Sequence, residues 1–210
     1  MSSFNIVTSN EGSLFLEVDG IACCQTPNVS TAFLKIIHLF DTIIEIGADA
    51  GGFTLLLNHQ KKDATQLISY EIAESKISKN INRDKIDIRI ADCFEDSTIQ
   101  EIQDKILSGG RTLLLCDGGC KAKEFEIYAP FLKTGDVIMC HDYCDSRIDW
   151  ISLCHHIHWL GAPESFYYKV AKTAWDNGLE RFEYDLFRSV LWGAFVKTNI
   201  VGDRIFSLDV

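Results

Sequence analysis

Proline is scarce in this chain, with three in 210 residues, and no Pro/Ser-rich linker, internal repeat or low-complexity tract interrupts it. No apolar run approaches the length of a membrane span. The N-terminus, "MSSFNIVTSNEGSLFLEVDG", lacks the basic start and continuous apolar core of an export signal. Basic side chains are outnumbered, 20 against 30 acidic, for a formal charge of −10. Such a field repels phosphate backbones and argues against a general nucleic-acid binder, whereas a neutral or cationic ligand meets no such barrier. Eight cysteines without an export signal point to free thiols in a reducing compartment. The expectation is a soluble cytoplasmic protein with neither a nucleic-acid nor a membrane partner. Its length and its 47% apolar and 24% charged residues suit one ordinary globular domain.

What is present is alternation. The segments 42–47, 66–71, 86–92, 111–118 and 136–142 are short, aliphatic and β-branched, as strands buried on both faces are. Between them lie helix candidates: "FTLLLNHQKK", "AESKISKNI", "STIQEIQDKILSGG" and "KAKEFEIYAPFLKTG". A further helix, "VSTAFLKIIHLF", precedes the first strand and is expected to open at Asn28 or Ser30. Strand–helix alternation over about 100 residues predicts a parallel doubly wound sheet, which binds ligands at the carboxyl ends of its strands. All five strands end in an acid: Glu45, Glu71, Asp92, Asp117 and Asp142, spaced 21–26 residues apart. One such acid is most often a cap or turn residue. Five at one rim call for a ligand with hydroxyls, amines or a positive centre.

The first strand runs into "IIEIGADAGGFT" (43–54). A dinucleotide site would carry Gly-x-Gly-x-x-Gly and an open helix N-terminus for pyrophosphate. Here the spacing is Gly47-x-x-x-Gly51-Gly52, with Glu45 before the loop and Asp49 inside it. Two carboxylates beside a pyrophosphate repel it. An adenosine ligand without phosphate, bearing an amine or sulfonium, fits better. Glu71 then suits two ribose hydroxyls, and Asp92, Cys93 and Phe94 suit an adenine.

These motifs resemble class I S-adenosylmethionine-dependent methyltransferases, in the branch of small-molecule O-methyltransferases acting on rhamnosyl, macrolide-sugar and catechol-type acceptors. "QTP" (25–27), "IIEIGADAGGFT", "LISYEIAE", "IADCFED" and "CDGGCKAKEFEIYAPFLKTGDVIMCHDY" carry the likeness, which covers about half of the chain. The resemblance implies a Rossmann-like, doubly wound α/β fold: a mostly parallel seven-stranded sheet with helices on both faces and an antiparallel C-terminal strand. It implies one domain: an N-terminal segment and helix (1–40), a cofactor-binding core (41–145), a helical and aromatic insertion (146–180) and terminal strands (181–210). Glu45, Gly47 and Gly51 would then surround the methionine part of the cofactor, Glu71 the ribose, Asp92 and Cys93 the adenine, with Asp117 bordering them.

In the metal-dependent members, an acid ending strand four and a pair ending strand five hold a divalent ion. The matching positions are Asp117, His141 and Asp142, where Mg2+ would orient an acceptor hydroxyl and lower its pKa. Related sequences often carry a basic residue three positions after the strand-four acid; here Cys120 stands there. His141, Asp117 and Lys121 are the remaining catalytic candidates, although a lysine at position 121 is more often a solvated helix residue. Zinc offers a rival: Cys116-x-x-x-Cys120, Cys140-x-x-x-Cys144 and "CHHIH" (154–158) have the ligand types, yet cysteines within apolar strands are usually buried hydrophobes.

The last third reads as a helix, "RIDWISLCHHIHWLG", then an aromatic stretch, then two antiparallel strands, "RFEYDLF" and "VLWGAFVKT". Tyr143, Trp150, Trp159, Phe166, Tyr167, Tyr168 and Trp175 are candidates to line an acceptor pocket, with core packing the competing role for each. The expected activity is methyl transfer from S-adenosylmethionine to a hydroxyl of a small molecule, with Mg2+ as a second cofactor; a homo-oligomer is compatible with it. The alternatives are a metal-independent N- or protein methyltransferase and a degenerate adenosyl-binding or interaction module.

Overall fold

The computed structural model describes residues 3–8, 14–154 and 165–199. The chain opens with β1 (Phe4–Thr8), β2 (Leu14–Val18) and β3 (Ile21–Ala22), which form a small antiparallel sheet. Sequence reading did not foresee this sheet. In β2 only Leu16 and Val18 are buried, so one face is apolar and the pattern is shorter than that of a central strand.

The helix expected over 29–40 is broken, into α1 (Val29–Leu34) and a 3-10 turn at Ile37–Leu39. Asn28 sits at its start without a side-chain cap. There follow β4 (Thr42–Ile46), α2 (Gly52–Gln60), β5 (Gln66–Glu71), β6 (Asp87–Ile90), α3 (Asp96–Ser108), β7 (Thr112–Cys116), α4 (Lys121–Tyr128) and β8 (Val137–Cys140). Two expected helices are shortened. "AESKISKNI" forms only a 3-10 turn, Glu74–Lys76, and α4 gives way to a 3-10 turn at Ala129–Phe131, where Pro130 supplies no N–H to continue the ladder.

The remaining elements are β9 (Tyr143–Cys144), α5 (Arg147–Cys154), β10 (Ser165–Phe166), α6 (Tyr167–Asp176), β11 (Leu179–Arg181), α7 (Tyr184–Arg188) and β12 (Gly193–Lys197). "RFEYDLF" is therefore mainly helix rather than strand. Glu183, at a φ of 45°, turns the chain out of β11 and into α7. His155, His156, His158 and Trp159 lie outside the described residues.

Seven strands form the main sheet in the order β11-β12-β8-β7-β4-β5-β6. The five from β8 to β6 are parallel, and β12 runs antiparallel to β8. This is the Rossmann-like α/β architecture that the sequence implied. Side-chain alternation feeds two cores. Ile43, Leu113, Leu115, Val137 and Met139 face the layer of α1 and α2, while Ile44, Leu114, Cys116, Ile138 and Cys140 face the layer of α3, α4 and α6. The strand order reverses at β4 and β7, and ligands of open α/β sheets bind at such a reversal.

Candidate functional site

The backbone turns sharply where β4 ends. Gly47 has a φ of 91°, and a Cβ there would overlap the Asp117 carbonyl of the next strand. Only glycine lets the two strand ends approach so closely. Gly51 also takes a positive φ, at the start of α2. Gly52 lies against the Ala22 carbonyl with no space for a Cβ. This contact lays the N-terminal segment across the strand ends and brings Cys23, Cys24 and Gln25 to the site.

Two cavities open there. The first, about 370 Å³, is lined by residues that include Gly47, Tyr70, Glu71, Asp92, Cys93 and Phe94. The second, about 340 Å³, is lined by Cys23, Gln25, Phe53, Lys121, His141 and Asp142 among others. Gly47, Asp49 and Asp117 belong to both walls, so the cavities meet at the β4–β7 reversal.

Glu71 is buried, and it organises the first cavity. Its Oε2 accepts the Asp49 N–H at 2.9 Å, and its Oε1 accepts the Ile72 N–H at 2.9 Å and pairs with Lys76 at 3.1 Å. Asp92 accepts the Phe94 N–H at 2.9 Å, and Tyr128 donates to the Cys93 carbonyl. Both acids thus hold loops as turn residues do, and both also face the cavity.

Glu45 lies elsewhere than expected. It is fully buried and absent from both cavity walls. Thr54 and Ser69 donate to its Oε2, while its Oε1 has no hydrogen-bond partner among the described residues. Burial pushes its pKa up to about 7, against the lowering effect of those two hydroxyls. It braces β4 from beneath.

The second cavity holds a four-residue charge cluster. His141 Nδ1 lies 2.9 Å from Asp117 Oδ1 and 3.6 Å from Asp142 Oδ1. Burial works against the imidazolium, but Asp117 and Asp142 outweigh it and raise the His141 pKa above the usual histidine value. Lys121 is 6% exposed rather than solvated, and its Nζ is 3.2 Å from Asp142 Oδ2 and 3.8 Å from Asp117 Oδ1. Asp142 has a φ of 51°, and its buried Oδ1 accepts no hydrogen bond among the described residues.

Two residues packed against this cluster escaped sequence reading. Gln25 donates to Asp117 Oδ2 at 2.7 Å and accepts the Trp192 indole N–H at 2.9 Å. Trp192 also stacks on His141, with centroids 4.8 Å apart. "QTP" was the available signal for Gln25. Nothing local marks Trp192, 167 residues further along the chain. The aromatic candidates go elsewhere. Tyr143 and Trp150 are core, Phe166 stacks on Tyr168, and Tyr168 and Trp175 are exposed; none of these lines either cavity.

Asp117, His141 and Asp142 do not fit a magnesium ion as they stand. Both Asp117 oxygens already receive side-chain N–H donors, from His141 and Gln25, and Asp142 Oδ2 faces the Lys121 ammonium. Among the described residues no group of three or more His, Cys, Asp or Glu is arranged to hold a metal. The same holds for Cys116, Cys120, Cys140 and Cys144 as zinc ligands within the described residues, and His155, His156 and His158 of that reading lie outside them. Seven described cysteines are free thiols, and no described helix is long and apolar enough to cross a membrane.

The seven-stranded sheet with its strand-end cavities is a Rossmann-like α/β fold, and the chain shares it with solved methyltransferase structures. No protein-family model and no curated protein sequence matches the chain. Solved structures do. An apo structure of CmcI superposes with a TM-score of 0.61 at 15% identity, over 88% of this chain and 76% of that one. Another CmcI structure, with magnesium and S-adenosylmethionine, gives 0.59 at 16% over 85% and 75%. Fibrillarin from Aeropyrum pernix, with natively bound S-adenosylmethionine, gives 0.52 at 14% over 91% and 93%. Human N-acetylserotonin methyltransferase gives 0.53 at 12% over 83% of this chain and 52% of its own length. At these identities the likeness establishes the shared fold.

Proposed function

We propose that the protein transfers a methyl group from S-adenosylmethionine to a hydroxyl of a small molecule. The observation carrying this reading is the pair of cavities meeting at Gly47, Asp49 and Asp117, with a ribose-type acceptor, Glu71, in one and a charged cluster in the other. S-adenosylmethionine, when bound, supplies an electrophilic methyl carbon. Glu71 Oε2, which carries one backbone donor, accepts a ribose hydroxyl. The second hydroxyl takes the place of the half-exposed Lys76 ammonium at Oε1, which keeps its Ile72 and Ala73 backbone donors. Asp92 and Phe94 frame the adenine. Gly47, bare of a side chain, borders both cavities where they meet.

A volume of about 340 Å³ for the second cavity suits a small acceptor. His141 points Nδ1 at Asp117, so in the neutral ring with Nδ1 protonated the lone pair is on Nε2. That nitrogen takes the hydroxyl proton as the new carbon–oxygen bond forms and the carbon–sulfur electron pair returns to sulfur. Positioning by the two walls supplies the orientation that in-line displacement needs.

The carboxylates of Asp117 and Asp142 in the wall of the second cavity also suit an ammonium, so nitrogen methylation is the second reading. Incubation with methyl-labelled cofactor and a panel of phenols, sugars and amines separates them by the linkage found in the product. Label on oxygen supports the first reading, and label on nitrogen alone supports the second. Cofactor binding with no transfer to any acceptor contradicts both and leaves a binding module.

A further inference from the structure

We propose that the Lys121 ammonium is the resident cation between Asp117 and Asp142, and that it keeps the second cavity free of a divalent metal. This deepens the methyl-transfer reading in one respect: it names the cation that an acceptor meets in that cavity.

Lys121 is the first residue of α4, so its stem rises directly from the loop that follows β7. Three oxygens of separate groups surround its Nζ: Asp142 Oδ2 at 3.2 Å, Asp117 Oδ1 at 3.8 Å and the Gly118 carbonyl at 3.1 Å. Its side chain is 7% exposed, beside carboxylates that are 6% and 13% exposed. A lysine charge is held in so dry a place only when it is paired.

A hard divalent ion requires close oxygen ligands in a near-octahedral set, at about 2.0–2.1 Å for magnesium. An ion bridging Asp117 and Asp142 would compete with Nζ for the same oxygens. A charge of +2 beside a buried +1 is strongly repelled. The other Asp117 oxygen offers no alternative, because the Gln25 amide occupies it and is itself fixed by Trp192. Residues from four parts of the chain therefore keep the two carboxylates turned towards side-chain donors. The remaining oxygen, Asp142 Oδ1, is buried, accepts no hydrogen bond among the described residues and lies 3.6 Å from His141 Nδ1. An acceptor hydroxyl entering the cavity meets an ammonium donor and a carboxylate acceptor side by side.

The test is manganese binding, read from the resonance of the free ion by electron paramagnetic resonance, on the full chain with and without S-adenosylmethionine. The wild type is expected to bind no stoichiometric Mn2+ at millimolar concentration. Lys121→Ala is expected to bind one ion at least about tenfold more tightly than the wild type. Lys121→Met, which keeps the buried stem but removes the charge, replaces it if the alanine variant does not fold. One ion bound by the wild type and lost in Asp117→Asn would overturn the proposal. So would equal indifference of the wild type and a folded variant, because Lys121 would then not be what excludes the metal. A parallel cofactor titration in EDTA tests the methyltransferase reading separately: a wild type that binds no S-adenosylmethionine defeats that reading, while the manganese result decides the role of Lys121.

Discussion

Glu45→Gln should change how stability depends on pH while leaving cofactor binding almost untouched. The carboxyl is fully buried in β4, and its pKa rises from an ordinary 4.5 to about 7 because burial disfavours its ionised form. That difference corresponds to about 3 kcal/mol at a pH well above both values. Because the folded-state pKa lies above the unfolded one, the contribution is fully present below about pH 4.5 and lost as the pH rises through about 7. Glutamine is neutral throughout and cannot lose it. The gap between variant and wild type should therefore move in the variant's favour by up to about 3 kcal/mol between roughly pH 5 and pH 9, or about 6–12 °C in melting temperature for a chain of this size. Glu124, which burial also raises to about 7, is present in both proteins and cancels. Urea unfolding of both proteins across this range is the assay. A gap that stays constant with pH would refute the buried neutral acid. A loss of S-adenosylmethionine affinity greater than about threefold in Glu45→Gln would return Glu45 to the cavity wall.

Gly47→Ala forces a side chain into a φ of 91° against the Asp117 carbonyl. It should lower stability by about 2 kcal/mol and abolish cofactor binding in the same titration; a variant that binds normally would mean that the strand ends need not touch. Lys121→Met leaves Asp117 and Asp142 short of a cation, and urea unfolding should show a loss of about 3–5 kcal/mol. A loss under about 1 kcal/mol would mean that the buried pair contributes little.

The central sheet was legible because its strands are buried on both faces, where continuous aliphatic runs such as "TIIEI" and "TLLLC" leave no competing pattern. The acids at their ends were legible for the same reason, since a carboxylate cannot continue such a run. Glu45 shows the limit. It sits inside the run rather than beyond it, and Thr54 and Ser69 satisfy it beneath the surface. Lys121 and Lys123 look alike in sequence, yet Lys121 enters a carboxylate pair while Lys123 stacks over Phe94. Their difference is set by contacts across β7 and β8. "RFEYDLF" alternates like a strand, but the left-handed turn at Glu183 breaks it. The Gln25–Trp192 bond spans almost the whole chain, which no local pattern encodes. Of the expected aromatic acceptor wall, Tyr143, Trp150, Phe166, Tyr167, Tyr168 and Trp175 line neither cavity, because ring content says nothing about which way each ring faces, and Trp159 lies outside the described residues.

The most direct test of the cofactor site is calorimetric titration with S-adenosylmethionine and S-adenosylhomocysteine of the wild type and Glu71→Ala, each confirmed folded. The account predicts one site per chain at about micromolar affinity, lost in Glu71→Ala. A folded wild type that binds neither ligand, or a Glu71→Ala variant that binds both as tightly as the wild type, would contradict it.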